Sequence, residues 1–352
     1  NNSLTFNHTS TVSIAMKLIT RFAFVLSFSL SLSLSPLPPN ISPYDNNSGT
    51  GAATRSAILR AVDASLTKAI EAGETLIEVE FPPLLTLSGS KRKSQFDDFD
   101  NISELDANKD FAIELMTLNR EALQSGKDCW LLFPDLKELE TSASEWVGEK
   151  FSKVTRTTIE AATECITGGQ FVKPWGSQFV SAVSSMINDP EKTTSTLLGD
   201  TSYLDEISSM KPPMLSIAVQ PGNGGPVEDW INLEKYSAAC SDGHTLCVVN
   251  GALDKVRDGY YPAFAFPSLA KTASRFYTNF SAAYYLRPIS DKGLYGWVYR
   301  QYGEPYQVVM QKPLRKEDGS VTVEDVVVWT GDDVKPSFVD AVRYMIEAVK
   351  DD

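Results

Sequence analysis

Ile58, Val62, Leu66 and Ile70 recur at every fourth position across residues 57–72, and Gly73 follows them. That spacing predicts a helix with one apolar stripe. Residues 75–81 (TLIEVEF) then alternate as a strand does, and Pro82-Pro83 stops the run. Asp106 is placed to cap a helix whose buried face is Phe111, Leu115, Leu118 and Ala122. The short apolar runs 129–133 (CWLLF), 214–219 and 245–250 (TLCVVN) look like central strands covered on both faces. Helices are expected over 144–165, in one or two pieces before Gly168-Gly169, over 177–187 and over 267–280. A further helix, 228–240, places Trp230, Leu233, Tyr236 and Ala239 on one face. Residues 84–104 and 189–209 read as polar connections.

Beyond residue 281 the period changes. Residues 282–289, 294–302, 305–312 and 323–330 read as strands parted by the turn signals SDKG, YGEP and KEDG, an antiparallel meander. Phe338, Val342, Met345, Ile346 and Val349 give an amphipathic last helix. Strands alternating with helices in the first part imply right-handed crossovers and parallel pairing. The expected fold is therefore α/β: a Rossmann-like, mostly parallel sheet with helices on both faces, extended at one edge by the C-terminal antiparallel meander and a final helix. It forms one domain over residues 56–352.

Residues 1–55 read as a leader outside that domain. Lys17 and Arg21 precede the greasy stretch 22–35 (FAFVLSFSLSLSLS), which is shorter than the ~20 apolar residues a bilayer requires and fits a secretory-type signal. Residues 36–55 are rich in Ser, Pro, Asn and Gly, with one acid (Asp45) and one base (Arg55). A signal followed by such a segment resembles the two-part presequence of algae with complex plastids. Plain secretion is the simpler alternative, and Asn101 and Asn279 stand in glycosylation sequons. The 352 residues carry 45 acids and 32 bases, a formal charge of −13. That balance argues against gripping nucleic acid or an anionic lipid surface through bulk charge.

In an open parallel sheet, ligands bind beyond the carboxyl ends of the strands. There the candidate crevice residues are Asp135, Asn223, Asn250, Asp254 and Arg257, although Asp and Asn are equally the residues of turns and caps. The glycine-rich loop in 216–230 (SIAVQPGNGGPVEDW) has neither the lysine of a P-loop nor the spacing of a dinucleotide fingerprint. Glu228 and Asp229 fall at the expected helix start. Acids there stabilise the helix dipole by ~0.3–1 kcal/mol each and repel a phosphate, so the loop reads as a turn with its own cap. Cys240, His244 and Cys247 offer three zinc ligands where a closed site takes four. The calcium-like start at 106–110 has Phe111 in place of the required glycine and Thr117 in place of the required glutamate. No metal or cofactor is expected. No GxSxG occurs, and a Ser–His or Cys–His pair would have to use His244. The four cysteines form no CxxC pair and read as free thiols. Tyr295, Trp297 and Tyr299 alternate and so share one face of a strand. That face either packs under a helix or binds another protein.

TLIEVEFPP after an alanine-rich helix, LLFPDLKELE followed by Trp146 and Gly148, VVNGALD, and YYLRPISDKGLYGWVYRQYGEPYQVVMQK occur in that order. Together they resemble a domain-of-unknown-function family of plants, algae and cyanobacteria, whose best-known members are the low-photosystem-II-accumulation assembly factors of chloroplasts. The same domain also occurs fused to a plastid adenylate kinase. The resemblance spans residues 57–350. It implies a non-enzymatic plastid protein, in the stroma or peripherally on the thylakoid, that assists photosystem II assembly through contacts with assembly intermediates or other factors. It transfers no catalytic residue. The alternative is a small-molecule or nucleotide-binding α/β enzyme using the strand-end crevice around Asp135, Asn223 and Asp254.

Overall fold

The computed structural model describes residues 52–82, 108–115, 129–136, 138–140, 154–173, 213–222, 227–258, 260–315, 319, 321–331 and 334–350, all within the unit Leu37–Asp352. Among these residues nine strands form one sheet, β3-β2-β4-β5-β1-β6-β7-β8-β9. They are β1 (Leu76–Glu80), β2 (Cys129–Phe133), β3 (Val154–Thr158), β4 (Leu215–Val219), β5 (Thr245–Val249), β6 (Ser281–Asp291), β7 (Leu294–Gln301), β8 (Tyr306–Arg315) and β9 (Val321–Gly331). β1 is the hinge of the topology. It pairs in parallel with β5 on one side and with β6 on the other, and from β6 outward every pairing is antiparallel.

The helices are α1 (Ala52–Glu71), α2 (Ile159–Thr167), α3 (Glu228–Ala239), α4 (Leu253–Arg257), α5 (Pro267–Arg275) and α6 (Phe338–Lys350). Alternation along β1 sorts the two faces of the sheet. Ile77, Val79 and Phe81 enter a core built with Ile58, Val62 and Leu66 of α1 and with Phe111 and Leu115 of the helical stretch 108–115. On the opposite face Trp130, Leu132, Ala218 and Val248 pack on Trp230, Leu233 and Tyr236 of α3 and on Leu269 and Ala273 of α5. Further along, Ala282, Tyr285, Ile289, Val298 and Val308 pack on Ala341, Val342 and Met345 of α6. Helices thus cover both faces, and the expected α/β architecture with its C-terminal meander and last helix is the one observed.

Two elements differ from expectation. Residues 144–165 contain β3 as well as α2. Val154, Thr155, Thr157 and Thr158 are β-branched, which favours extended backbone, and the outer edge of β2 supplies the pairing partner. Thr158 ends the strand and at once caps α2, its Oγ1 accepting from Ala161 N–H at 3.1 Å. Gly168, in the left-handed region, closes α2 as its position predicts. The helix expected over 267–280 ends at Arg275 and passes into a 3-10 turn, Tyr277–Asn279. There the rings of Phe276 and Tyr277, centroids 5.0 Å apart, both pack against Phe280.

Residues 1–51 of the expected leader (1–55), the Asp106 cap, the helix 177–187 and the connections 84–104 and 189–209 lie outside the described residues, while residues 52–55 form the start of α1. Among the described residues no helix is long and apolar enough to cross a membrane.

Close packing of α6 on the meander depends on Gly296. A Cβ there would overlap the Val309 carbonyl oxygen of the adjacent strand and lie 3.1 Å from Met345 Cε of α6. Backbone on one side and a buried helix on the other leave no cheap relief. Gly296→Ala is expected to destabilise the fold by about 1–3 kcal/mol in urea unfolding, while Gly293→Ala, which meets nothing within 4 Å, loses only the cost of a side chain at positive φ.

Candidate functional site

β1 carries two glutamates on one face. Glu78 and Glu80 alternate with apolar residues, so both side chains leave the α1 core and enter the boundary between the α3/α5 layer and the α6 layer. α4 and β6 meet them there. Arg257 Nη1 donates to Glu78 Oε2 at 2.8 Å, and Arg257 Nε donates to the Tyr277 carbonyl at 2.9 Å. Asp254, one turn earlier, accepts from Tyr285 Oη at 2.6 Å, from Arg287 Nη1 at 2.7 Å and from Lys335 Nζ. Glu80 Oε2 accepts from Ala252 N–H at 3.3 Å. Three carboxyl groups and three cations thus gather at the carboxyl ends of β1 and β5. Glu78 Oε1 and Arg257 Nη2 are buried without a hydrogen-bond partner.

The carboxyls differ in their protonation. Burial, followed by the charges of Glu78 and Asp254, pushes Glu80 up to about 8 against the opposing pull of Arg287. Burial also works against the Asp254 carboxylate, but Lys335, Tyr285 and Arg287 outweigh it and hold this group below its ordinary value. One acid that keeps its proton at neutral pH beside one that stays ionised is the division of labour that acid–base chemistry uses. Arg287, 46% exposed, brings the cluster to the surface.

Asp254 and Arg257, both expected at the crevice, belong to this cluster. Asn250 faces the other side of the sheet. It adopts φ +48° directly after β5, accepts from Phe81 N–H at 2.8 Å and donates to Asn108 Oδ1 at 2.8 Å. It therefore clamps two strand ends to the helical stretch 108–115. Asp135 accepts from Glu138 N–H at 2.9 Å and caps a helical turn. Asn223 lies outside the described residues. Sequence reasoning passed over Glu78, Glu80, Tyr285, Arg287 and Lys335. Two acids at alternate positions in TLIEVEF, a strand read as one of a covered parallel sheet, were the available signal, and YYLR repeats it for Tyr285 and Arg287. Nothing around Lys335 marks it.

Of the glycine-rich stretch, Pro221 and Gly222 are described, and Gly222 is tied to the helix that follows. Asp229 Oδ2 accepts from Gly222 N–H at 2.9 Å, so this acid secures the loop, while the α3 N-cap residue Val227 makes no side-chain cap bond. Gly222 sits at φ +73°, and a Cβ there would meet Trp230 Nε1 at 2.5 Å. The glycine is needed for close approach to that indole. Burial, with Asp135, Glu228 and Glu160 nearby, raises Asp229 to about 7 despite the Gly222 hydrogen bond.

A Ser–His pair does exist, at the opposite end of the sheet. His244 Nε2 and Ser216 Oγ are 3.0 Å apart, and Ser216 Oγ is 2.7 Å from Tyr236 Oη. All three are buried, and burial lowers His244 to about 4. The trio is an internal polar link between β4, β5 and α3, and among the described residues no carboxylate is hydrogen-bonded to the imidazole. Cys247 enters the α1-side core while Cys240 packs with the α3 side, so the CSDGHTLC residues do not converge. No group of three metal-ligating side chains is found among the described residues, and no disulfide joins the four cysteines.

The proposed protein-binding face needs correction. Tyr295, Trp297 and Tyr299 do share a face, but it is the one beneath α1. Trp297 is 1% exposed and Tyr299 is fully buried, with Tyr299 edge-on to Tyr284 at 5.9 Å. Only Tyr295, at the strand end, is exposed. The apolar side of α1 covers the rest, which alternation alone cannot reveal.

Asp229 supplies a pH test. Its folded value, about 7, lies above its ordinary value of 3.8. The folded chain therefore holds a proton that the unfolded chain has lost between roughly pH 4 and 7, and stability falls as pH rises through that window. Asn keeps an acceptor for Gly222 N–H and removes the titration. Asp229→Asn is expected to match wild type in urea unfolding at pH 4 and to exceed it by about 2–4 kcal/mol at pH 8. Equal pH profiles for the two proteins would refute the assignment.

Neither the curated proteins nor the solved structures contain a match to this chain. The sequence profile of one family does match, over residues 53–333. That span holds the nine described strands, the glycine-rich stretch and the charged cluster at the ends of β1 and β5 except for Lys335. The chain is a member of the family described as domain of unknown function (DUF1995).

Proposed function

We propose that the protein is a non-enzymatic plastid auxiliary factor that assists photosystem II assembly through protein–protein contacts, brought into the plastid by its leader. The resemblance to the low-photosystem-II-accumulation factors supports the process. One feature supports the mode of action: the apolar turn between α4 and α5. Residues 260–267 (YYPAFAFP) contain no charge, and Tyr260 and Phe264 are 70% and 91% exposed. The turn is held firmly. The Pro262 carbonyl accepts from Ala265 N–H at 3.0 Å and from Phe266 N–H at 2.9 Å. Tyr261 stands edge-on to Tyr260 and Phe266 at 5.2 and 5.6 Å. Leaving such a side chain in water forgoes about 1.5–3 kcal/mol of burial. A preorganised aromatic anchor recovers it in a partner's pocket. The full-length protein, tagged and purified natively from plastid membranes, is expected to bring photosystem II subunits or assembly factors with it. Tyr260→Ser/Phe264→Ser, folded by circular dichroism, is expected to lose most of them. Recovery of no such subunits with the wild type overturns the assembly reading.

A second reading, small-molecule binding at the strand ends, is favoured by the charged cluster. A neutral Glu80 beside an ionised Asp254, with a half-exposed Arg287, suits a polar or anionic ligand. A thermal-shift screen against nucleotides and small carboxylates tests it. A rise in melting temperature that Arg287→Ala abolishes is expected, and no shift with any compound removes this reading.

A further inference from the structure

We propose that the outer edge of β9 is a docking edge for an extended, basic segment of a partner protein, which joins the sheet as its next strand. The inference rests on reading the chain as a protein-contact module. Among the described residues β9 ends the strand order, with β8 as its one neighbour in the sheet. It is 11 residues long, and from Val321 to Val327, before the register shift at Val328, the outer side of its backbone presents N–H and C=O groups in regular alternation. Only another extended backbone matches a row of alternating donors and acceptors at that spacing. This requirement fixes the occupant's conformation before any side chain is considered.

Side chains fix its charge. Glu324 and Asp325 are adjacent and exposed in the middle of β9. Neighbouring strand residues point to opposite faces, so an added strand meets a carboxylate on each face. Lys or Arg across from them is favourable, and Asp or Glu is not. The same two acids discourage a second copy. Two-fold pairing about the strand's middle brings four carboxylates together, and it joins two chains of charge −13. Apolar residues flank the acids. Val323 and Val327, 58% and 45% exposed, lie on the same face as Asp325. The opposite face is backed by α6, where the Trp329 indole stacks on Tyr344 with centroids 4.9 Å apart and planes 7° from parallel. Gln311 Nε2 donates to Asp325 Oδ1 at 3.2 Å from within the sheet, so Asp325 is held in place from β8. Among the described residues β9 is thus open on its outer side and carries two adjacent acids, with Lys312 of β8 opposite Glu324 and Gln311 opposite Asp325. The matching segment alternates β-branched with basic residues.

The test uses the full chain and three synthetic octapeptides. One alternates Val or Thr with Lys, one replaces each Lys by Glu, and one is the basic peptide N-methylated at alternate residues. Binding is read by fluorescence anisotropy, with hydrogen exchange of residues 321–331. The basic peptide is expected to bind and to protect 321–331, at least tenfold more tightly than the acidic peptide. N-methylation is expected to abolish binding, and Glu324→Lys/Asp325→Lys to reverse the charge preference. Failure of the basic peptide to bind overturns the proposal. So does binding that survives N-methylation, which would mean charge attraction without strand addition. Sedimentation showing a dimer with 321–331 protected would also overturn it, because a second copy would then hold the edge. The titration requires no photosystem component. The edge can therefore fail while co-purification from plastid membranes succeeds, or the reverse.

Discussion

Asp254 accepts hydrogen bonds from Tyr285 and Arg287 of β6 and from Lys335 ahead of α6, while Arg257, one turn on, reaches Glu78 of β1. A helix of five residues thereby joins the parallel half of the sheet, the meander and the approach to the last helix. The arrangement is demanding. Taking these ions out of water costs several kcal/mol each, and only complementary geometry offsets that. Remove the Asp254 carboxylate and the half-exposed Arg287, the partly buried Lys335 and the buried Tyr285 hydroxyl lose a common acceptor. The apolar layers on either side, α3 and α5 against one part of the sheet and α6 against the other, meet along this seam.

The same seam explains why the strand ends offer less to a ligand than topology alone suggests. Asn250 is spent on Phe81 and Asn108, Asp135 on a helical turn, Asp229 on Gly222. On the α1 side, Lys109 and Glu138 form a buried ion pair at 2.5 Å. Each of these polar groups already secures a neighbouring element. What remains unmatched within the seam is Glu78 Oε1 and Arg257 Nη2.

Much of this architecture was legible in the sequence because it depends on period. CWLLF gave β2 to the residue, and turn signals separated the meander strands correctly. β3 was not legible as a strand. Its VTRTT sits in a stretch of helix-compatible composition, and its strand state comes from pairing with β2, a contact of tertiary origin. The seam was half legible. Asp254 and Arg257 follow from the rule about strand ends, but their partners come from β6 and from position 335, which no local pattern connects. The buried face of Trp297 and Tyr299 shows the complementary limit. Alternation tells which side chains point together and leaves open whether a helix lies over them.

Placing the earliest strand at the middle of the sheet also has a consequence for biosynthesis. Phe81 bonds a residue 169 positions ahead, Glu78 one 179 ahead, and Glu74 reaches Tyr302, 228 ahead. A ribosome adding about 5–20 residues per second has β1 emerged for on the order of ten seconds or more before either flanking strand exists. Throughout that time an apolar segment with two open sides is available to any passing chain. β1 therefore gains its two sheet neighbours only after Thr245–Val249 and Ser281–Asp291 have been synthesised.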